Sequence, residues 1–223
     1  HRGLEHMYAE NAAVYYYITL MNEAYQQPEM PQGVEDGIVK GMYLFSEQGD
    51  AKAPAVRLFG SGTILLEAIA AATMLVEEFG LGVQVWSLTS ATELARDIQD
   101  VERWNLLNPT SEAKQSYVAQ CMNEKASKRW AGAPVVAVSD YMKALPEQLR
   151  SAIGAPFHVL GTDGYGRSDT REKLRHFFEV DRRFIVLAAL GQLARAGKIE
   201  PKVVEEAQAA MGLDADKTNP RLV

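Results

Sequence analysis

Cysteine is almost missing from this chain, with Cys121 the single thiol among 223 residues. One thiol cannot close an intramolecular disulfide, and it is too few for a cysteine-based zinc or iron–sulfur centre. It fits a reducing compartment, so the expected location is cytoplasmic. Long apolar runs are missing too. The longest, residues 184–190 (FIVLAAL), falls far short of the roughly 20 residues of a membrane-spanning helix, so no membrane is expected as a partner. Positive charge is in deficit, with 23 Lys and Arg against 29 Asp and Glu for a formal net charge of −6. A nonspecific nucleic-acid binder needs a clustered positive field, so no nucleic acid is expected either. His1, His6, His158 and His176 show no metal-ligand spacing, and no Ser or Cys stands in a nucleophile motif.

The composition that remains is that of an ordinary globular protein, 47% hydrophobic and 23% charged. The length allows one large domain, or one with part of another, and it is ample for a core. Strand-like and helix-like segments alternate along the chain. Residues 1–10 read as the end of a helix, without a starting Met, which points to a piece of a longer protein. Residues 13–19 (AVYYYIT) read as a strand, and 26–33 (QQPEMPQG) as a linker. Residues 42–45 and 55–59 flank a polar stretch and together read as a β-hairpin. Residues 83–88, 135–138 and 157–160 complete the strands. Between them, Ile64, Leu65, Ala68, Ala72, Leu75, Val76 and Phe79 form one helical stripe ended by Gly80. Ser90 and Glu93 have capping-box spacing ahead of a helix that turns Leu94, Ile98, Val101 and Trp104 inward. Asp140 is a plausible cap for a helix bearing Met142, Leu145, Leu149 and Ile153, with a kink or restart at Pro146. Three helices close the chain, from about Thr170, from Arg182 to Ala196, and from Pro201; residues 214–223 read as an extended tail. The expected fold class is α/β, three-layered, with a mostly parallel sheet and one antiparallel edge strand.

Two segments could carry chemistry. Gly60, Ser61, Gly62 and Thr63 lie between a strand and a helix, where free N–H groups can hold an anion. They lack the Gly-Lys-Ser/Thr ending of a P-loop and the third glycine of a dinucleotide fingerprint, so the alternative is a plain tight turn. The loop 161–169 (GTDGYGRSD) follows a strand, where open α/β sheets place function. Ser168 or Asp169 as a helix cap, with Glu172 reaching back, explains part of it. The other reading has Tyr165, Arg167 and Asp169 reaching a neighbouring domain or subunit. The charges of Glu93, Arg96, Asp97, Asp100, Glu102 and Arg103 fit a solvated helix face, and Lys125, Lys128 and Arg129 a small basic surface loop.

Residues 14–43 (VYYYITLMNEAYQQPEMPQGVEDGIVKGMY), 87–109 (SLTSATELARDIQDVERWNLLNP) and 159–181 (VLGTDGYGRSDTREKLRHFFEVD) closely resemble the C-terminal part of the bacterial homodimeric pyruvate dehydrogenases. These are thiamine-diphosphate-dependent, acetyl-transferring enzymes of the transketolase-like superfamily. The closing DADKTNPRLV is similar to that family's C-terminus. The resemblance implies that residues 1–32 are the last helix and strand of a pyrimidine-binding domain plus a linker, and that 33–223 are a transketolase-like C-terminal domain. It implies a parent that decarboxylates pyruvate on thiamine diphosphate with Mg2+ and acetylates the lipoyl group of a dihydrolipoamide acetyltransferase component. The family's Gly-Asp-Gly and Asn-Asn signature is not in this sequence, and Gly49-Asp50-Ala51 is no substitute. No catalytic, cofactor-binding or metal-binding residue of the family therefore maps onto this chain, which is expected to bind no cofactor itself and to support folding and dimer contacts. Two alternatives stand beside this: a free-standing, non-catalytic interaction module, and the tail of another transketolase-like enzyme.

Overall fold

The structure, a computed structural model, describes residues 1–18, 20, 24–124 and 129–223. Thr19, and Lys125 and Lys128 of the expected basic loop, lie outside the described residues. Five strands form one sheet: β1 (Met42–Gln48), β2 (Ala55–Ser61), β3 (Gly82–Leu88), β4 (Val135–Val138) and β5 (Phe157–Leu160). Their order is β1-β3-β2-β4-β5, with β3, β2, β4 and β5 parallel and β1 antiparallel at the edge against β3.

The helices divide between the two faces. Against one face lie α3 (Leu65–Glu77), α8 (Arg182–Arg195) and α9 (Pro201–Ala210); against the other lie α4 (Ala91–Leu107), α5 (Tyr117–Glu124) and the short α6 (Ala144–Glu147). The period-2 alternation of strand side chains builds both cores at once. Val56, Leu58, Val83, Val85, Val136 and Val138 pack under α3 and α8, while Phe59, Trp86, Leu88, Ala137 and Val159 pack under α4 and α5. The stripe on α3 is buried through Ile64, Leu65, Ala68, Ala72 and Leu75. Gly80 follows it at φ 63°, the left-handed turn that ends helices. Ser90 caps α4 by accepting the Glu93 N–H, but the Glu93 side chain pairs with Arg96 instead of reaching back. Asp181 caps α8, and Pro201 opens α9 at a position whose N–H needs no partner.

Several expectations are corrected. β1 and β2 are not a hairpin, because β3 lies between them; Met42 pairs with Leu88 and Gln48 with Val83. A non-local partner thus displaces the local turn. Among the described residues, 13–18 form no strand. They have no neighbouring strand to complete a ladder, and Tyr15, Tyr17 and Ile18 stand exposed. Residues 2–9 are helical, as α1 (Arg2–Leu4) and a π-helical turn, Glu5–Ala9. The helix expected after Asp140 begins only at Ala144, and Asp163 rather than Asp140 accepts the Lys143 N–H, at 3.1 Å. It is short, with Pro146 inside its first turn, and Met142 is exposed while Leu149 and Ile153 are buried. Asp97, expected on a solvated face, accepts the Tyr117 N–H at 2.6 Å and so anchors the start of α5. Two helices were not anticipated: α5 and α2 (Glu35–Lys40). The helix after the 161–169 loop, α7 (Arg171–Phe177), is capped by Thr170 rather than by Ser168 or Asp169.

Candidate functional site

In an open sheet, the loops at the carboxyl ends of the parallel strands meet where the strand order reverses, and ligands gather there. Here that point lies between β2 and β4. Gly60 and Ser61 finish β2, and Gly62 and Thr63 begin a 3-10 turn, Gly62–Ile64, that leads into α3. Gly60 is required by packing, since a Cβ there would lie 2.7 Å from the Leu65 Cα. Gly62 adopts φ 55°, with the Asp140 carboxylate opposite, and the Thr63 hydroxyl donates to that carboxylate at 3.5 Å. The mouth of the turn therefore faces a negative charge.

The loop 161–169 leaves β5 beside this turn. Its first residues are bound tightly: the Thr162 N–H donates to the Tyr141 carbonyl at 3.0 Å, and the Thr162 hydroxyl to the Asp140 carbonyl at 2.5 Å. Gly161 has no room for a side chain, with the Tyr141 carbonyl 2.8 Å from where a Cβ would sit. Beyond it, Tyr165 is exposed. Arg167 does not pair with the aspartates on either side of it. Asp163 is engaged by Lys143, Asp169 accepts the Thr170 N–H at 2.7 Å, and the Arg167 guanidinium stacks 4.3 Å from the centre of the Phe177 ring. Tyr165 and Arg167 thus share one exposed loop, while Asp169 belongs to the start of α7.

Sequence reasoning missed the strongest electrostatic assembly, at the bases of α3, α7 and α8. Glu67 is buried and accepts from Arg175 Nη1 at 2.9 Å, from the Arg182 N–H and Nε at 3.0 Å each, and from Arg182 Nη2 at 3.2 Å. Burial alone would raise its pKa. The Arg182 hydrogen bonds and the charges of Arg182 and Arg175 outweigh it and hold the carboxyl below the usual carboxylate range. Next to it, Asp181 accepts from the Arg183 and Phe184 backbone N–H groups, from the Arg183 side chain and faces His176 at 3.2 Å. Burial opposes its ionisation, but Arg183 and the cap bonds again keep its pKa low. No sequence signal flagged Glu67, because its partners lie more than a hundred positions away.

On the other face of the sheet, Arg57 is a buried cation within β2. It donates to Gln84 Oε1 at 3.0 Å and to the Met122 carbonyl at 3.2 Å, and Gln84 in turn donates to Glu47 at 2.8 Å. Burial pushes the Arg57 pKa down to about 10 against the pull of Glu47, which leaves it a cation at neutral pH. Burial, with Lys143 and Arg195 nearby, likewise lowers the pKa of His158 on β5. Arg57 is structural in arrangement, since its donors are spent on Gln84 and the Met122 carbonyl within the fold. Among the described residues, no group of three or more His, Cys, Asp and Glu side chains could hold a metal ion. A shallow groove of about 390 Å³ between α4 and α5 contains none of the candidate residues.

Residues 41–181 match the family model of the transketolase-like C-terminal domain. The chain belongs to that family. It is 52% identical over 219 residues, 98% of its length, to the pyruvate dehydrogenase E1 component of Pseudomonas aeruginosa. It is 51% identical over its whole length to the protein of the same name from Escherichia coli. In each case the chain spans about 24% of the relative's length. Among solved structures, the Leishmania mexicana transketolase superimposes with a TM-score of 0.43 and 19% identity, over 74% of this chain and 20% of that one. The family assignment accords with the expected architecture, an α/β domain whose sheet is parallel but for one antiparallel edge strand.

Proposed function

We propose that this chain is the C-terminal domain of a pyruvate dehydrogenase E1 component, a cytoplasmic homodimer that decarboxylates pyruvate and hands the acetyl group to the lipoyl arm of an acetyltransferase component. The observation that carries this reading is identity of 51–52% running along essentially the whole chain, into relatives about four times as long. Residues 33–223 are read as the domain, and 1–32 as the end of a preceding domain with its linker. The exposed Tyr8, Tyr15, Tyr17 and Ile18 support the latter, because so many large apolar side chains left in solvent within one short segment call for a partner surface.

The residues present do not fit thiamine diphosphate with Mg2+. A metal–diphosphate site needs several oxygen ligands around the cation and donors for the phosphates. The strand-to-helix turn that could hold a phosphate, Gly60 to Thr63, looks onto the Asp140 carboxylate, which would repel an anion. That turn is read as structural. In the parent, the cofactor supplies the carbanion chemistry from other domains. What this domain offers is a rigid surface, and the 161–169 loop is its contact element. Arg167 is aimed by stacking rather than by an internal ion pair, so its guanidinium donors are available to a carboxylate of a neighbouring domain or subunit. The test is Arg167→Ala in the complete enzyme, with sedimentation for dimer affinity and steady-state turnover. Weaker dimerisation or lower turnover with an unchanged fold is expected. Wild-type values for both would remove the contact role.

A further inference from the structure

The second half of the loop has little of its own to hold it. Among the described residues, 164–169 make no backbone–backbone hydrogen bond, whereas Gly161 and Thr162 are fastened to the loop after β4. What lies against the second half is the end of the chain. Residues 214–223 run mainly through solvent, yet two of their side chains turn inward: Lys217 is half-buried and Pro220 is buried. Lys217 Nζ donates to the Phe177 carbonyl at 2.8 Å and to Glu179 Oε1 at 2.9 Å, and sits 5.5 Å from the centre of the Phe177 ring. Phe177 is the same ring that carries Arg167. It therefore holds one cation from the loop and one from the tail. Three residues on from Lys217, the Pro220 carbonyl presses on Gly164. A Cβ at Gly164 would lie 2.9 Å from that oxygen and 3.1 Å from the Arg221 Cα, and its φ of 105° excludes most other residues in any case. A short turn, Pro220–Leu222, started by Asn219 accepting the Arg221 N–H at 3.0 Å, sets the carbonyl in place.

We propose that residues 214–223 form a strap that presents the loop, with Lys217, Pro220 and Gly164 as positioning residues for Tyr165 and Arg167. Lys217 latches the strap to the end of α7, and Pro220 presses the loop against it at Gly164. The strap orders a contact element before any partner arrives, so the partner does not have to bear the cost of immobilising it. This rests on the contact reading of the loop, but the strap's hold is a property of the chain by itself and is measured without a partner.

The experiment is limited trypsin digestion of the 223-residue chain, with mass spectrometry of two cleavage sites. One is the Arg167–Ser168 bond in the loop; the other is the Arg57–Leu58 bond inside β2, which opens only with the whole fold. In Lys217→Met, loss of two charge-assisted hydrogen bonds should raise cleavage at Arg167 about tenfold, with no change at Arg57. Lys217→Arg, which keeps the cation and its donors, should restore most of the protection. Deletion of residues 219–223 removes the Pro220 carbonyl from Gly164 while leaving the Lys217 latch, and it carries the same expectation should Lys217→Met fail to fold. Wild-type cleavage at Arg167 in both Lys217→Met and the 219–223 deletion would overturn the strap. So would equal acceleration at Arg57, which would make the tail a general stabilising element. Failure of the contact reading, seen as wild-type dimerisation of Arg167→Ala, leaves these rates unaffected, so the two ideas fall separately.

Discussion

Glu67 makes the sharpest test of the energetics. It sits in the first turn of α3, is 5% exposed, and is the single carboxylate on which Arg175 and Arg182 converge. Glu67→Ala removes an acceptor of four hydrogen bonds and leaves two guanidinium groups facing a small cavity. Breaking a fully buried ion pair from one side costs about 3–5 kcal/mol. Here the Arg182 side chain is half exposed and can rehydrate, whereas Arg175 is mostly covered. The expected loss is accordingly about 2–3 kcal/mol, or roughly 5–10 °C in Tm for a chain of this size. Glu67→Gln keeps the shape and removes only the charge, so it should lose less, about 1–2 kcal/mol. The pH dependence gives the sign. The folded-state pKa lies below its ordinary value, so the charge's contribution is complete above the unfolded carboxylate range, near about 4.3. It disappears as pH falls through the folded pKa, because protonation then disarms the wild type as well. Urea unfolding of wild type and Glu67→Gln at pH 7 and at steps below pH 5 should show a gap that narrows on acidification. A gap under about 0.5 kcal/mol at pH 7, or one that ignores pH, would refute the claim that this charge ties α3 to α7 and α8.

Two further substitutions probe local rules. Asp181→Ala removes the cap that accepts the Arg183 and Phe184 N–H groups at the start of α8 and should cost about 1–2 kcal/mol in a thermal melt; an unchanged Tm would show that water satisfies these two N–H groups equally well and that the cap does not stabilise α8. Gly60→Val drives a branched side chain into the Leu65 backbone, where even a Cβ would be only 2.7 Å away, and should lower the urea midpoint by the equivalent of about 2 kcal/mol or more.

The parallel sheet and its two covered faces were legible because β2 to β5 are short apolar runs set between amphipathic helices, a pattern that admits little else. The cap at Ser90 and the stop at Gly80 were legible for the same reason, since both depend on neighbours within one turn. What failed was non-local. The Met42–Phe45 segment reads like the first arm of a hairpin, yet its partner is β3, beyond the whole of β2 and α3. Likewise the tyrosine run at 15–17 has strand composition, but composition cannot create an absent neighbouring strand. At the candidate site, the sequence drew attention to the loop 161–169, where the structure gives Gly164 a φ of 105° and leaves Gly161 no room for a side chain. It could not show that Asp140 faces the Gly62 turn, that Arg167 lies on Phe177, or that Lys217 arrives from the far end of the chain. Each of these contacts joins segments that only the completed fold brings together.

The central claim is that this is the non-catalytic C-terminal domain of a thiamine-diphosphate enzyme, whose cofactor is held elsewhere. Calorimetric titration of the purified 223-residue chain with thiamine diphosphate and Mg2+ tests it directly. The account predicts no binding heat beyond dilution. Stoichiometric binding with a micromolar constant would contradict it and place a cofactor site within these residues.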